Sequence, residues 1–418
     1  MSEAGVNPAA AQPRVLLLVP ARTYRATDFL AAADRMGLDL VVGSDGALPL
    51  GGRPVVHISL SDVPGSINRI MACGKRFDAV VAADTPMLVP AAMVAEQLRL
   101  PHNAVEALIA AADKGVQRRR WAEAVVPQPA YRIVPAGAPE DALRAAAAET
   151  GFPCVVKAVS LSASQGILRA DGPGAAVAAA RRIRRILAAA RRPAHEPLLV
   201  EEYVPGPELS IDGLLTDGGT AVTAFFDKPC TPDGPTFEET VLITPSRLPP
   251  PVQEAAMATA GRAARVLGLT CGPIHAELRI SQRDGQPWPV MLELAARSIG
   301  GLCSRALHFG GGMSLEELVL SDALGRRTAM GPPITRPSGV LMLPVSRNGV
   351  LRAVAGRADA VVVPGVTGLN ITIPIGQRVQ SLPEGDRYLG FIFAEGDTRE
   401  EVEKALAKAR EQLRPVIY

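Results

Sequence analysis

Two glutamates sixteen positions apart carry the clearest chemical signal in the chain: Glu277 in Gly-Pro-Ile-His-Ala-Glu-Leu-Arg279 and Glu293 in Met-Leu-Glu-Leu-Ala-Ala-Arg297. Each lies in a short apolar run rich in β-forming residues, which predicts a strand. The polar stretch Ser281 to Pro287 contains Asp284-Gly285, a hairpin-turn pair. Such a hairpin sets two carboxylates side by side. Close, buried carboxylates repel unless a cation stands between them. Mg²⁺ suits the position because it binds a few carboxylates together with phosphate oxygens, and Mn²⁺ is the alternative. Arg297 and Gly300-Gly301 follow. They add a cation and a flexible backbone stretch able to hold an anion. The competing reading is a strand pair with two surface acids.

Further pieces lie upstream. Gly151-Phe-Pro-Cys-Val-Val-Lys157 reads as a strand ending in a lysine. It runs into Ser160-Leu-Ser-Ala-Ser-Gln-Gly166, a small-residue loop whose amides, Ser164 and Gly166 among them, could wrap phosphates. In Leu198-Leu-Val-Glu-Glu-Tyr-Val-Pro-Gly-Pro-Glu208 a strand breaks at Pro205-Gly206. That break offers backbone groups of Tyr203 and Val204 to a base edge and the Glu208 carboxylate to ribose hydroxyls. The Pro/Gly-rich loop Asp227 to Gly234 carries Lys228 toward phosphates or substrate, or else is a surface loop with a solvated lysine. A lone Ser/Gly loop means little. The ordered set is a far more specific signal.

This set resembles the ATP-grasp superfamily, and within it the carboxylate–amine ligases that include the bacterial L-amino acid ligases of the dipeptide-forming type. The resemblance covers nearly the whole chain. It implies that Lys114, in Ala-Asp-Lys-Gly-Val-Gln-Arg, and Lys157 contact nucleotide phosphates. It implies further that Glu201 with the backbone of Tyr203 and Val204 holds adenine, Glu208 the ribose, and Glu277 and Glu293 the Mg²⁺. Arg297 would bind the substrate carboxylate and then the acyl phosphate. Two departures are visible. Glu293-Leu-Ala-Ala-Arg297 lacks the asparagine that many superfamily members carry between acid and arginine, as the dipeptide ligases also do. Phe237-Glu-Glu-Thr-Val-Leu-Ile-Thr-Pro245 matches the ligases' substrate-facing acid at Glu239 but has Leu242 where they have histidine. The substrate therefore differs from the usual pair of free α-amino acids or is bound differently.

Composition agrees with an enzyme of small molecules. A chain of 418 residues forms two or three domains with sizeable cores. A net charge of +2 gives no argument for nucleic acid or a membrane surface. Arg181-Arg-Ile-Arg-Arg185, the one basic run, reads as a solvated helix face, with RNA contact the minor alternative. Val15 to Val19 is too short for a signal sequence, and no stretch is long enough to span a bilayer. Cys73, Cys154, Cys230, Cys271 and Cys303 are scattered, which suits reduced thiols and predicts a cytoplasmic protein. Cys154 and Cys271 read as core residues, and Cys303 as a residue near the pocket without a catalytic role. His275 shares a strand face with Glu277 and is either part of the site or a hydrogen-bonded structural histidine.

The elements that position these residues fall in three segments after a frayed tail, residues 1–13. Residues 14–110 alternate strands (Arg14–Val19, Leu38–Val42, Phe77–Val81) with helical patterns such as Thr27–Met36, a βαβ series with a parallel sheet. Pro20-Ala-Arg-Thr-Tyr-Arg follows the first strand in place of a dinucleotide fingerprint, which argues against a dehydrogenase. Arg22, Thr23, Tyr24 and Arg25 are weak substrate-facing candidates there. Residues 111–330 hold the nucleotide machinery, with a smaller lid lobe over about 128–205 and helices at Ala175–Arg192 and Val252–Leu267. From Gly331-Pro-Pro333 to the end, strand-like runs at 340–344, 360–363, 370–373 and 388–393 and a final helix capped by Thr398 and Glu401 predict a small α+β lobe. The expected class is thus α/β and α+β: an ATP-grasp fold between an N-terminal Rossmann-like domain and that lobe.

The chemistry implied is phosphoryl transfer from ATP to a carboxylate, then attack by an amine, with ADP and phosphate released. Metal, lysine and arginine charges offset repulsion between the two anions. The Gly300 and Gly301 amides steady the oxyanion, and Glu239 orients or deprotonates the amine. The substrates are a small-molecule carboxylate and an amine, with monomer and homodimer both open. Rival readings are an ATP-grasp carboxylase, a ligase of carrier- or peptide-bound substrates, and a nucleotide-binding regulator without catalysis.

Overall fold

The computed structural model describes residues 12–48, 55–72, 76–193, 196–216, 219–230, 233–309, 312–326 and 336–418, apart from the side chains of Val222 and Thr223. Most of the expected tail, Cys73, Thr231-Pro232 of the Lys228 loop and Gly331-Pro-Pro333 lie outside the described residues. The chain divides into two compact units. One runs to Val105 and takes up Glu316–Thr328; the other holds Glu106–Leu315 and the chain from Ala329 to Tyr418.

In the first unit, β1 (Arg14–Val19), β2 (Asp39–Ser44), β3 (Val55–His57) and β4 (Ala79–Ala82) form a sheet in the order β3-β2-β1-β4, every pairing parallel. Helices α1 (Ala26–Arg35) and α2 (Val63–Ala72) make crossovers, and α3 (Leu88–Gln97) follows β4. Val15 to Val19 are wholly buried, as a central parallel strand covered on both faces requires. The loop after β1 spends Arg25 on structure: the side chain is buried, and Nη1 donates to Ala83 O at 2.6 Å.

The second unit begins with α4 (Val105–Ala112) and α5 (Lys114–Glu123), the latter N-capped by Asp113, whose side chain accepts from Val116 N. A lid lobe follows: β5 (Tyr131–Val134), α6 (Glu140–Thr150), β6 (Cys154–Ala158), β7 (Ile167–Ala170), α7 (Pro173–Ala189) and β8 (Leu198–Glu202). Its sheet, ordered β5-β8-β6-β7, is antiparallel and carries its own apolar core with α6 and α7. The arginine run on α7 is drawn into ion pairs, Arg181 with Glu140 and Arg182 with Glu384, which favours the reading as a helix face over RNA contact.

The larger sheet is built from β9 (Glu208–Thr216), β10 (Gly219–Asp227), β11 (Val241–Thr244), α8 (Pro250–Val266) against its face, β12 (Gly272–Arg283) and β13 (Gln286–Ala295). After α9 (Leu315–Ala323) come β14 (Ser338–Leu343), β15 (Gly349–Ala355), α10 (Arg357–Val361), β16 (Val366–Ile371), β17 (Arg378–Val379), β18 (Gly390–Glu395), α11 (Arg399–Gln412) and β19 (Arg414–Ile417). The large sheet has eight strands in the order β13-β12-β9-β10-β11-β14-β18-β16. One sheet therefore runs through β9–β13 and the C-terminal lobe alike, joined where β11 pairs with β14. The run expected as a strand at 360–363 is instead the end of α10. Gly356 in the left-handed region starts that helix, and Ala360 is buried in the core that also holds α11. At α11 the capping box of Thr398 and Glu401 is present. No helix among the described residues is long and apolar enough to cross a membrane.

Candidate active site

Three antiparallel strands build the floor of the site. The β12–β13 hairpin turns at Asp284-Gly285, both with positive φ (52° and 74°), the conformation an Asp-Gly turn favours. Its register sets Glu277 directly opposite Glu293, with a bulge after Glu277. On the other side β9 pairs Glu208 with Arg279, Ser210 with Glu277, and Asp212 with His275. Strand alternation puts 208, 210 and 212 on one face, and 275, 277 and 279 opposite them. The result is a ladder of charged pairs. Arg279 Nε lies 3.1 Å from Glu208 Oε2, and His275 Nδ1 lies 3.1 Å from Asp212 Oδ2. His275 Nε2 reaches Glu277 Oε1 at 3.5 Å, so this hydrogen-bonded histidine touches one of the candidate acids.

Lys228 inserts a buried ammonium among the acids. Nζ is 2.6 Å from Glu208 Oε1 and 3.8 Å from Glu277 Oε1, and it donates to Glu239. Carboxylate oxygens of Glu208, Glu239 and Glu277 all lie within 4.8 Å of one another. An oxygen donor set that close fits Mg²⁺, and the ammonium in its midst marks a point where positive charge is required. Glu293 lies outside this triplet and pairs with Lys114 Nζ at 3.0 Å. Lys114 also donates to Leu161 O at 2.6 Å, which ties it to the small-residue loop.

The electrostatics follow from this packing. Burial raises Glu239 to about 7; Lys228 opposes the rise, and Glu277 and Glu208 add to it. Burial works against ionisation of Glu277 too, but Lys228 and His275 outweigh it and hold that carboxyl well below its usual range. For His275, burial opposes the charge while Asp212 and Glu277 favour it, and the balance lifts the imidazolium to about 9. Lys228 is buried, yet the three acids raise it well above an ordinary lysine.

A cleft of about 590 Å³ opens over this floor. Lys157, Ser164, Glu201, Tyr203, Val204, Glu208, Glu239, Glu277 and Glu293 line it, nine of the residues expected from sequence. Val155, Ile167, Phe237 and Leu292 give it apolar walls. Lys114 and Lys228 reach it through the acids they pair with, and Gly166 closes the loop that holds Ser164. Arg297, Gly300 and Gly301 lie in the loop after β13. Arg297 Nη1 donates to Ser298 O at 2.9 Å, and a Cβ at Gly300 would stand 3.6 Å from that guanidinium. Gly301, at φ +66°, is pressed against Phe391: a Cβ there would meet the ring at 2.8 Å, and Cys303 Sγ at 3.4 Å.

Three expectations change in detail. Both carboxylate oxygens of Glu201 are already occupied, by Arg118 Nε and Lys157 Nζ at 2.5 Å each. It is a buried counter-ion held below the usual carboxylate range against the cost of burial, so its carboxylate is not turned to an adenine. The hinge edge is likewise partly engaged, with Tyr203 N donating to Pro153 O at 3.2 Å and Val204 O accepting from Arg279 Nη1 at 2.8 Å. Cys271 is only half-buried; Cys154 is a core thiol, pushed up to about 11 by burial, and Cys303 is buried. Sequence reading missed Arg279, Asp212 and Phe237. Arg279 and Asp212 sit at even spacing from Glu277 and Glu208, a signal that becomes legible only once β9 and β12 are known to pair.

Residues 150–306 match the family model of the ATP-grasp domain, and residues 341–418 match that of the L-amino acid ligase C-terminal domain 2. Over 201 residues the chain is 31% identical to a D-alanine--D-alanine ligase of Gloeobacter violaceus; the match takes in 46% of this chain and 62% of the length of that relative. The fold is shared with the L-amino acid ligase of Bacillus licheniformis, at a TM-score of 0.80 and 23% identity over 96% of this chain and 98% of that one. It is also shared with the ATP-complexed carboxyaminoimidazole ribonucleotide synthase of Aspergillus clavatus, at a TM-score of 0.74 and 15% identity over 96% and 99% of the two chains. The chain thus contains an ATP-grasp domain over residues 150–306, followed over residues 341–418 by a segment that matches the C-terminal domain 2 of the L-amino acid ligases.

Proposed function

We propose that this protein is an ATP-dependent carboxylate–amine ligase that forms an amide through an acyl phosphate and releases ADP and phosphate. The observation that carries this is the charged ladder on β9, β12 and β13. With Glu239 from the segment before β11 it gathers Glu208 and Glu277 around Lys228, and sets Glu293 opposite Glu277, on the floor of a cleft with apolar walls. Such a site serves two anions that must approach each other.

In this reading the base lies against Val155, Ile167, Val204, Phe237 and Leu292, with Tyr203 at the hinge. Glu208, whose oxygens Lys228 and Arg279 hold, lines the ribose side, and Lys114, Lys157, Lys228 and Ser164 face the phosphates, while the Gln165 and Gly166 amides are taken by Ser162 O and Pro383 O. Glu277 and Glu293 across the hairpin, with Glu239 and Glu208 close to Glu277, would hold Mg²⁺, for which Mn²⁺ is a substitute of similar ligand preference. The metal, when bound, offsets charge on the phosphoryl oxygens. Lysine charges do the same from the other side. Arg297 holds the carboxylate as one of its oxygens takes the phosphoryl group and the bond to ADP breaks. The amine nitrogen then bonds to the acyl carbon, phosphate leaves, and Glu239 takes the ammonium proton. A group with a pKa of about 7 is suited to that transfer. Gly300 and Gly301 amides steady the oxyanion.

Leu242 is buried and carries no proton-transferring group where the ligases have histidine. The substrate pair therefore departs from two free α-amino acids or is bound differently. Small-molecule carboxylate and amine are the partners this reading needs, and the free thiols suit a cytoplasmic setting. The test is Arg297→Ala. Amide formation is expected to be lost while Mg-ATP still binds with an affinity close to that of the native protein; unchanged turnover would refute the assignment.

A further inference from the structure

The lid lobe is a body with its own core, and the loop that joins β6 to β7 is one of its contributions to the cleft, through Ser164. That loop is tied from outside the lobe. Gly166 N donates to Pro383 O at 3.0 Å, and Gln165 Nε2 donates to Glu384 O at 2.7 Å. Arg182, on the lid helix α7, grips the Glu384 carboxylate at two points, Nε to Oε1 at 2.6 Å and Nη2 to Oε2 at 2.9 Å. Pro383 and Glu384 lie between β17 and β18 of the C-terminal lobe. There Asn348 Oδ1 fixes the segment by accepting from Ser381 N and Oγ.

These ties are polar, and the two side chains are partly exposed, 43% for Arg182 and 28% for Glu384. A permanent junction between lobes buries apolar surface; a junction that opens uses contacts of this modest strength. The loop side is shaped for such a contact, with Ala163, Ser164 and Gly166 all at positive φ (55°, 57° and 65°). At β7 the same lobe is tied by Arg169 to Asp233 at 2.8 Å. The lid is therefore held by polar contacts at two points, and the one at Glu384 acts on the 160–166 loop itself.

We infer that Arg182 and Glu384 form a latch by which the C-terminal lobe holds the Ser160–Gly166 loop shut over the cleft. Resting on the ligase reading, the latch makes both of them positioning residues that keep water from the activated carboxylate. Neither lines the cleft, so breaking the pair leaves nucleotide contacts intact and lets the closed state open more often.

The experiment measures ADP released per amide formed for the native protein, Glu384→Ala, Arg182→Ala and the double variant Arg182→Glu/Glu384→Arg. Amide hydrogen exchange is followed over residues 160–166 in each. Both single variants are expected to raise ADP per amide by roughly two- to five-fold, the population shift such a pair can supply, with little change in the KM for ATP. The double variant is expected to return most of the coupling. An unchanged ratio in the single variants, or a double variant no better than they are, would overturn the latch. If the native protein forms no amide from any substrate pair, the ligase reading fails, and exchange alone decides the latch. Faster exchange in both single variants, slowed again in the double variant, upholds it; equal rates overturn it.

Discussion

Replacing Lys228 with methionine keeps the length and most of the volume of the side chain while removing its charge. The ammonium is 3% exposed, 2.6 Å from Glu208 and 3.8 Å from Glu277, and it is hydrogen-bonded to Glu239. Glu208 keeps Arg279, and Glu277 keeps His275, so the uncompensated charge falls on Glu239. Removing one partner of a buried ion pair costs about 3–5 kcal/mol. The loss depends on pH in a stated direction. Glu239 already stands at about 7, above the usual carboxylate value, and without Lys228 it rises further. A raised carboxyl contributes stability that is present below its unfolded pKa, about 4.3, and lost as pH rises through the folded value. The variant should therefore come closest to the native protein below about pH 5 and fall furthest behind above about pH 8. Mg²⁺ should restore more stability to the variant than it adds to the native protein, because it no longer competes with an ammionium for the same oxygens. At a hundredfold excess over its Kd, the gain is about 2.7 kcal/mol. Urea unfolding at acidic and alkaline pH, with and without Mg²⁺, reads both effects. Native-like stability at pH above 8, or equal Mg²⁺ stabilisation of the two proteins, would refute the reasoning.

Two further outcomes follow from the same cluster. His275, lifted to about 9 by Asp212 and Glu277 against burial, contributes stability that is complete below about pH 6.5 and lost as pH rises through 9. His275→Ala should remove this component, at most about 3 kcal/mol, and flatten the native decline measured by unfolding between those pH values. If Glu239 takes the ammonium proton, kcat/KM should rise through about pH 7. Glu239→Gln should abolish that limb and slow the reaction about 100-fold; an unaltered pH profile would reassign the base.

Much of the site was legible because its signals are local. The Asp284-Gly285 turn fixed the hairpin, and the hairpin fixed Glu277 opposite Glu293. Thr398 and Glu401 marked the start of α11 within one turn. What was hidden depends on pairing between distant segments. Arg118 meets Glu201 from eighty-three positions away, and nothing near Glu201 in sequence announces that its carboxylate is already neutralised. Arg279 and Asp212 read singly as polar residues of a strand; only the β9–β12 register converts them into partners of Glu208 and His275. The union of the C-terminal lobe with the large sheet rests on β11 meeting β14, about a hundred residues on, which no local pattern encodes. The 360–363 run is short and apolar, a case in which strand and buried helix end look alike until packing decides.

The most direct measurement is ADP and phosphate release from Mg-ATP across a matrix of carboxylates crossed with amines, with product masses recorded. An amide-forming ligase gives release that needs both partners and a product whose mass is their sum less one water. Release that depends on bicarbonate in place of a carboxylate substrate, or ATP binding with no ADP formed from any mixture, would contradict the account.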